Sequence, residues 1–215
     1  MVNKPGLRVG IFAGAFDPVH AGHVAFALQA MTFANLDEVV FVPERRPRHK
    51  PGVEHYAHRV AMLKQAIRPH RQFSVMELVD RHITVTRTLP QLHAIFKNCQ
   101  LVLLTGSDVA PHIASWPYAK RLLTDMELVV GMRQGDDQTV LLETIAGWPA
   151  QPRDLLVMES YAPAISSRHI RVALRTDKPV RGLLASVKQY AEREWLYVSP
   201  GLMARTRGGH ASDRP

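Results

Sequence analysis

Runs of consecutive apolar residues alternate along the chain with segments whose apolar residues recur every three or four positions. The runs predict buried strands, and the spaced segments predict helices that cover a sheet. The predicted strands span residues 9–12, 39–42, 73–79, 101–104, 127–132 and 155–158, with a final edge strand or extended segment at 196–198. The predicted helices span residues 24–34, 55–67, 86–97 (with Pro90 in the first turn), 166–176 (with serines suited to the N-cap) and 180–193.

Buried continuous strands that alternate with helices are typical of a parallel sheet covered on both faces. No internal repeat and no linker divides the pattern. The sequence therefore predicts one α/β domain over residues 1–200, with a Rossmann-like, doubly wound, mainly parallel sheet. Residues 201–215 are rich in glycine and arginine and have no periodicity, so we expect a disordered basic tail there.

Composition narrows the class of protein. With 46% apolar and 21% charged residues, the chain has the composition of an ordinary globular protein. The single cysteine, Cys99, excludes an intramolecular disulfide and fits a reducing compartment. No apolar run approaches the roughly 18 residues of a membrane span, so we expect no membrane association and a cytoplasmic location. The net charge of +8 suits a polyanionic partner, either nucleic acid or small phosphates.

The segment GAFDPVHAGH, residues 14–23, joins the first predicted strand to the first helix. In doubly wound sheets, ligands bind beyond the carboxyl ends of the strands. Gly14 lets the backbone approach a ligand, and the free N–H groups of the helix can receive an anion. His20 and His23 can point to one side and donate to phosphate oxygens. The residues alone leave open a phosphate site, a pair of surface histidines or an adventitious metal site. The P-loop pattern GxxxxGK(S/T) and the dinucleotide pattern GxGxxG are both missing.

Together with ISSRHIR at residues 165–171, this segment resembles the two signatures of the nucleotidyltransferase superfamily, GxFxPxHxGH and ISSxxIR. Further similar segments are PERRPRHK (43–50), RVAM (59–62), TRTL (86–89) and LLTGSD (103–108), the last followed by Trp116. They narrow the resemblance to the bacterial nicotinate mononucleotide adenylyltransferases, over residues 8–198.

The resemblance implies that AMP is transferred from ATP to nicotinate mononucleotide, giving deamido-NAD and pyrophosphate. The catalytic residues it implies are His20, His23 and Arg171. The ATP-binding residues it implies are Gly14, Ala15, Phe16, His20, His23, Gly106, Asp108, Ser166, Ser167 and Arg171. The acceptor-binding residues it implies are Lys50, Thr84, Val85, Thr86, Arg87 and Trp116, with Trp116 stacked on the pyridine ring. Mg²⁺ is expected on the ATP phosphates, without a metal site built from protein side chains.

The chain departs from the family pattern at three places. Ala15 and Arg168 each replace a threonine, and ITVTRTL, residues 83–89, lacks the tyrosine and aspartate of SYTxDTL. Because that last segment concerns the acceptor, another nucleotidyltransferase on the same scaffold stays open, acting on nicotinamide mononucleotide, phosphopantetheine or another phosphorylated acceptor. A non-catalytic nucleotide- or nucleic-acid-binding protein is the second alternative, less favoured because every phosphate-binding position is filled. Arg133 is interpreted as structural or peripheral, and association into a homo-oligomer is left open.

Overall fold

The computed structural model describes residues 6–48, 50–162, 164–176 and 178–198. Its centre is a six-stranded sheet in the order β3-β2-β1-β4-β5-β6, in which every pair of neighbouring strands is parallel. The strands are β1 (Arg8–Gly14), β2 (Glu38–Pro43), β3 (Phe73–Val75), β4 (Gln100–Gly106), β5 (Glu127–Met132) and β6 (Leu155–Glu159). The strand order reverses between β1 and β4, so a crevice is expected at their carboxyl ends.

Helices cover both faces of the sheet, as the alternating pattern predicts. They are α1 (Ala21–Phe33), α2 (Tyr56–Ile67), α3 (Val85–Ile95), α4 (Ala119–Asp125), α5 (Gln138–Ala146), α6 (Ser167–Arg175) and α7 (Ala185–Arg193), with a 3₁₀ turn at Ala110–Ser115. Successive strand residues point to opposite faces. Phe41 therefore belongs to the core cluster that includes side chains of α1, α2 and α7, whereas Val40 belongs to the cluster that includes side chains of α3, α4 and α5. The prediction of a Rossmann-like doubly wound sheet is confirmed.

The end of the described chain differs from the prediction. Helix α7 begins at Ala185 rather than at residue 180, because Gly182 has φ +76° and Leu184 is an extended N-cap. Residues 194–197 form a turn, and no edge strand occurs at 196–198. Trp195 and Tyr197 have φ values of 54° and 60°, which no strand contains. The predicted tail at 201–215 lies outside the described residues.

Smaller differences occur within the sheet region. Strand β3 ends at Val75 rather than at residue 79, and the carbonyl of Leu78 instead accepts a hydrogen bond from Arg45 Nε at 2.6 Å. Pro90 is the sixth residue of α3 and so lies in its second turn, not its first. Helix α5 was not predicted, although the Asp137 N-cap, which accepts from the N–H groups of Thr139 and Val140, is a sequence signal for α5. In the described residues no helix has both the length and the apolar character needed to span a bilayer.

Candidate active site

The two histidines of HAGH lie where β1 passes into α1. His20 is the N-cap of α1 and His23 is in its first turn. Their rings stack with centroids 3.7 Å apart and an interplanar angle of 27°. The backbone N–H of His20 donates to Nδ1 of His23 at 3.2 Å. Because Nδ1 accepts this bond, the neutral His23 ring carries its proton on Nε2, which is left as a donor for a ligand.

Both histidine rings are neutral near pH 7. Burial, assisted by the positive charge of Arg133, lowers the pKa of His20 to about 3. Burial also lowers the pKa of His23 well below its ordinary value, with further contributions from His20, Arg133 and Lys50. Bound phosphate would oppose these effects, because a nearby negative charge favours the protonated ring.

The aromatic core supports His23 from beneath. The Phe16 ring lies 5.1 Å from the His23 ring and 5.4 Å from the Phe12 ring, centroid to centroid. Phe16 is buried with φ +49°, and a Cβ at Gly14 would lie 3.1 Å from its ring. The Phe16 side chain therefore belongs to the core, so an ATP contact at Phe16, as predicted, would have to come from its backbone.

Side chains of the second signature, residues 165–171, contact the first signature, residues 14–23. Ser166 is the N-cap of α6 and its Oγ accepts from the N–H of His169 at 3.3 Å. Ser167 Oγ donates to the carbonyl of Pro18 at 2.9 Å, across 149 residues of sequence. Arg171 Nη1 donates to the carbonyl of Asp17 at 2.6 Å. Ser167 and Arg171 thus use part of their donor capacity to join the two segments, while the O–H of Ser166 stays available.

The loops after β4 and β5 complete this side of the crevice. Arg133 Nε forms an ion pair with Asp108 Oδ1 at 2.9 Å. A Cβ at Gly106 would lie 2.5 Å from that same oxygen, so a larger residue there would displace the Asp108 carboxylate. Since the charge of Arg133 acts on both His20 and His23, Arg133 is part of their electrostatic surroundings. The interpretation of Arg133 as structural or peripheral stays a prediction, and its ion pair with Asp108 is compatible with a structural role.

The residues predicted for the acceptor lie at the start of α3 and on neighbouring loops. Thr84 is the N-cap of α3, and its N–H donates to Thr88 Oγ1 at 3.0 Å. The next three N–H groups, of Val85, Thr86 and Arg87, have no partner within the helix. Arg87 Nη1 pairs with Asp80 Oδ1 at 3.0 Å, so this guanidinium already has a local carboxylate.

Two contacts link this segment to the phosphate side. Glu44 donates its N–H to the Gly14 carbonyl at 2.9 Å, and its Oε1 accepts from the N–H of Ile83 at 3.3 Å. Lys50 lies on the same β2–α2 loop as Glu44 and is close enough to His23 to lower its pKa. Trp116 follows the 3₁₀ turn and is 36% exposed, so it is not a core residue.

Arg59 was not predicted as a site residue, yet it holds the site loops together. It is fully buried and donates to the carbonyls of Glu54 (2.9 Å), Ala15 (2.6 Å), Glu44 (2.9 Å) and Arg45 (3.0 Å). Its sequence signal is a charged residue on the buried face of α2, between residues that pack in the core. Buried charges require such partners, so an arginine in this pattern indicates a tether between loops.

In the described residues, no three His, Cys, Asp or Glu side chains are arranged to hold a metal ion. The two aspartates nearest the histidines in these loops have other partners: Asp108 pairs with Arg133, and Asp17 accepts from the hydroxyl of Tyr197.

Comparisons with known proteins agree with this geometry. The model of the cytidylyltransferase-like family matches residues 11–173. A curated protein of Desulfitobacterium hafniense strain Y51, named "Probable nicotinate-nucleotide adenylyltransferase", is 32% identical over 91% of this chain and 98% of its own length. A protein of the same name from Leifsonia xyli is 34% identical over 93% of this chain and 98% of its own length. Plasmodium falciparum nicotinic acid mononucleotide adenylyltransferase, solved in complex with NaAD, superposes with a TM-score of 0.73 at 17% identity, over 89% of this chain and 97% of that one.

Proposed function

Because the chain belongs to the cytidylyltransferase-like family and, within it, to the nicotinate-nucleotide adenylyltransferases, we propose that it transfers AMP from ATP to nicotinate mononucleotide. The products are deamido-NAD and pyrophosphate, so the reaction belongs to NAD biosynthesis. The observation that carries the proposal is the direct contact between the two signature segments, through Ser167 with Pro18 and Arg171 with Asp17. That contact brings the N-termini of α1 and α6 together, where the dipoles of both helices favour an anion, although the N–H of Ala21 is already bonded to the Gly182 carbonyl.

The protein needs to do little in this reaction beyond positioning the two substrates and neutralising their charge. An oxygen of the acceptor 5′-phosphate forms a bond to the α-phosphorus of ATP. The bond from that phosphorus to the bridging oxygen of the β-phosphate breaks, and pyrophosphate leaves with the electron pair. The attacking phosphate is ionised at neutral pH, so no general base is needed. Histidine, serine and arginine donors at fixed positions suit such a transfer, because most of its catalysis is electrostatic.

On the ATP side, His20 and His23 donate to the phosphate oxygens at the reacting centre. Their neutral state makes them donors of one N–H each, with the Nε2 proton of His23 set by its Nδ1 bond. The β- and γ-phosphates take the α6 N-terminus, with the hydroxyl of Ser166, the N–H of Ser167 and the remaining N–H groups of Arg171. Gly106 and Asp108 lie along the ribose, and Gly14, Ala15 and Phe16 contribute backbone.

On the acceptor side, Lys50 neutralises the 5′-phosphate and Trp116 stacks on the pyridine ring. The nicotinate carboxylate is received by the N–H groups of Val85, Thr86 and Arg87, with Thr84 as the N-cap. Amide recognition tolerates the side-chain departures in this segment. The Arg87–Asp80 ion pair supports it too, because the arginine already has a carboxylate partner.

Mg²⁺ fits the proposed function as part of the ATP substrate. Its ligands would be phosphate oxygens and water, since the described carboxylates and histidines do not form a cage for it. Bound there, the ion neutralises charge on the pyrophosphate that leaves. A cytoplasmic location belongs to the same proposal and is supported by the single thiol, Cys99.

A panel of substrates tests the proposal. The purified chain is incubated with Mg²⁺, with ATP or CTP, and with nicotinate mononucleotide, nicotinamide mononucleotide or phosphopantetheine, and pyrophosphate release is measured. We expect ATP with nicotinate mononucleotide to give the highest kcat/KM. Faster turnover with nicotinamide mononucleotide or phosphopantetheine would instead favour the other acceptors on this scaffold. Turnover with none of them, together with salt-sensitive DNA binding, would favour a nucleic-acid-binding protein.

A further inference from the structure

The carboxylate of Asp17, three residues before His20, is the meeting point of four segments. It is only 2% exposed. Its Oδ1 accepts from the Tyr197 hydroxyl at 2.8 Å and from the Glu54 N–H at 3.2 Å. Its Oδ2 lies 3.5 Å from Arg171 Nη1, the same nitrogen that donates to the Asp17 carbonyl. One buried charge therefore joins the β1–α1 loop, the β2–α2 loop, α6 and the turn after α7.

Tyr197, which is 180 residues from Asp17 in sequence, bonds this carboxylate from a turn with unfavourable backbone conformations. Tyr197 and Trp195 both have left-handed φ values, 60° and 54°, which side chains rarely adopt. The buried Tyr197 ring packs in the same core as Val187, Ala191 and Leu196. Unfavourable backbone conformations persist where the surrounding structure enforces them, and they concentrate at functional sites. Burial and the charge of Asp17 both raise the pKa of Tyr197, so its hydroxyl keeps the proton that it donates.

The charges around Asp17 explain how the Tyr197 hydroxyl affects Arg171. Arg171 faces two anions when ATP binds, the Asp17 carboxylate and the triphosphate. With its Oδ1 bonded by Tyr197 and Glu54, Asp17 engages only one nitrogen of Arg171. Without the hydroxyl, a buried carboxylate would lack a donor, and Arg171 is the cation placed to supply one. Arg171 would then be drawn toward Asp17 and away from phosphate.

We propose that Tyr197 is a positioning residue for ATP, acting through Asp17 on Arg171 and on the loop that carries His20. The inference rests on the proposed function and extends it to a residue outside both signature segments. It concerns the ATP side alone, so the identity of the acceptor does not enter.

The experiment compares Tyr197→Phe with Tyr190→Phe, which removes the other tyrosine hydroxyl of this region that bonds a side chain. The Tyr190 hydroxyl lies 3.0 Å from His58 Nδ1, on α2. ATP binding is measured by calorimetry with Mg²⁺ and without acceptor. We expect Tyr197→Phe to weaken ATP binding by about tenfold, because the variant loses the hydrogen bond from the Tyr197 hydroxyl to the Asp17 carboxylate. Tyr190→Phe should weaken ATP binding by less than about twofold. In turnover assays, the KM for ATP should rise while the KM for the acceptor stays within about twofold.

A purely structural role would lower the urea midpoint of both variants and leave ATP affinity unchanged. That result for a folded Tyr197→Phe variant would overturn the inference. If the variant does not fold, the inference is tested by measuring deuterium exchange of the unmodified chain with and without ATP. By reciprocity, ATP should then protect residues 194–198 and leave residues 147–154, which precede β6, unchanged. Unchanged exchange at 194–198 would overturn the inference. If the unmodified chain bound ATP yet adenylated no nicotinate mononucleotide, only the proposed function would fail. An unmodified chain that binds no ATP would overturn both.

Discussion

The neutral state of the two site histidines depends on their burial as well as on the residue type. His20 and His23 are three positions apart at a helix start, and this spacing alone predicts that they share a side. Their neutral state cannot be predicted in the same way. It comes from burial of the two rings and from Arg133, which follows β5.

The first prediction concerns the two histidines. We expect His23→Ala to lower kcat by about 10²–10³ without unfolding the chain, because the lost donor acts on charge that develops in the transition state. His20→Ala should show a larger share of its loss as a raised KM for ATP. Pyrophosphate release is the measurement. His93→Ala, at an exposed position in the last turn of α3, is the control. Near-normal turnover of both site variants would refute the role of HAGH at the phosphates.

Stability should depend on pH through His20. Its pKa in the folded chain, about 3, lies below the ordinary value of 6.5, so the unfolded chain binds a proton that the folded chain does not. The stabilisation is therefore complete above pH 6.5 and is lost as the pH falls toward 3. The expected slope is about 1.4 kcal/mol per pH unit for this one group. Urea unfolding between about pH 5 and 6.5 should show a flatter slope for His20→Gln than for the unmodified chain. Equal slopes would contradict the buried neutral ring.

At the scale of elements, the starts of helices form the site. The HAGH histidines lie at the N-terminus of α1, and the second signature lies at that of α6. The segment proposed for the acceptor lies at the N-terminus of α3. Strand-to-helix junctions could be located from the hydrophobic pattern. The turn that contains Tyr197 could not, because its left-handed backbone is enforced by packing and has no local signature in the residues.

The proposed acceptor site lies at the start of α3. A buried donor left unpaired costs about 1–3 kcal/mol, so nicotinate should be preferred to nicotinamide by roughly ten- to a hundredfold. Since Arg87 is held by Asp80, we expect Arg87→Ala to leave that preference unchanged. Trp116→Ala should weaken acceptor binding and hardly alter ATP binding. The ratio of kcat/KM values for the two mononucleotides is the measurement. A preference that falls in Arg87→Ala would mean that the arginine, not the amides, receives the carboxylate.

At the scale of the whole molecule, Arg59 joins loops that are far apart in sequence. We expect Arg59→Met to lower the free energy of unfolding by about 2–5 kcal/mol, because it removes a buried guanidinium that donates to four backbone carbonyl oxygens. Urea unfolding measures the change. Arg68→Met, at the exposed C-terminal end of the same helix, should shift the midpoint little. Equal effects of the two variants would show that the buried guanidinium contributes no more than a surface arginine.

The α/β class, most strands and the two signature segments could be predicted from the residues alone, because buried runs, helical spacing and short motifs are local properties. Three features depend on tertiary packing: Ser167 and Arg171 bond the loop before His20, Arg133 acts on both histidines, and Tyr197 donates to Asp17. These contacts join residues up to 180 positions apart. The strand order β3-β2-β1-β4-β5-β6 creates them by setting β1 between β2 and β4. Strand order is a property of the packed sheet, and no local pattern of residues carries it.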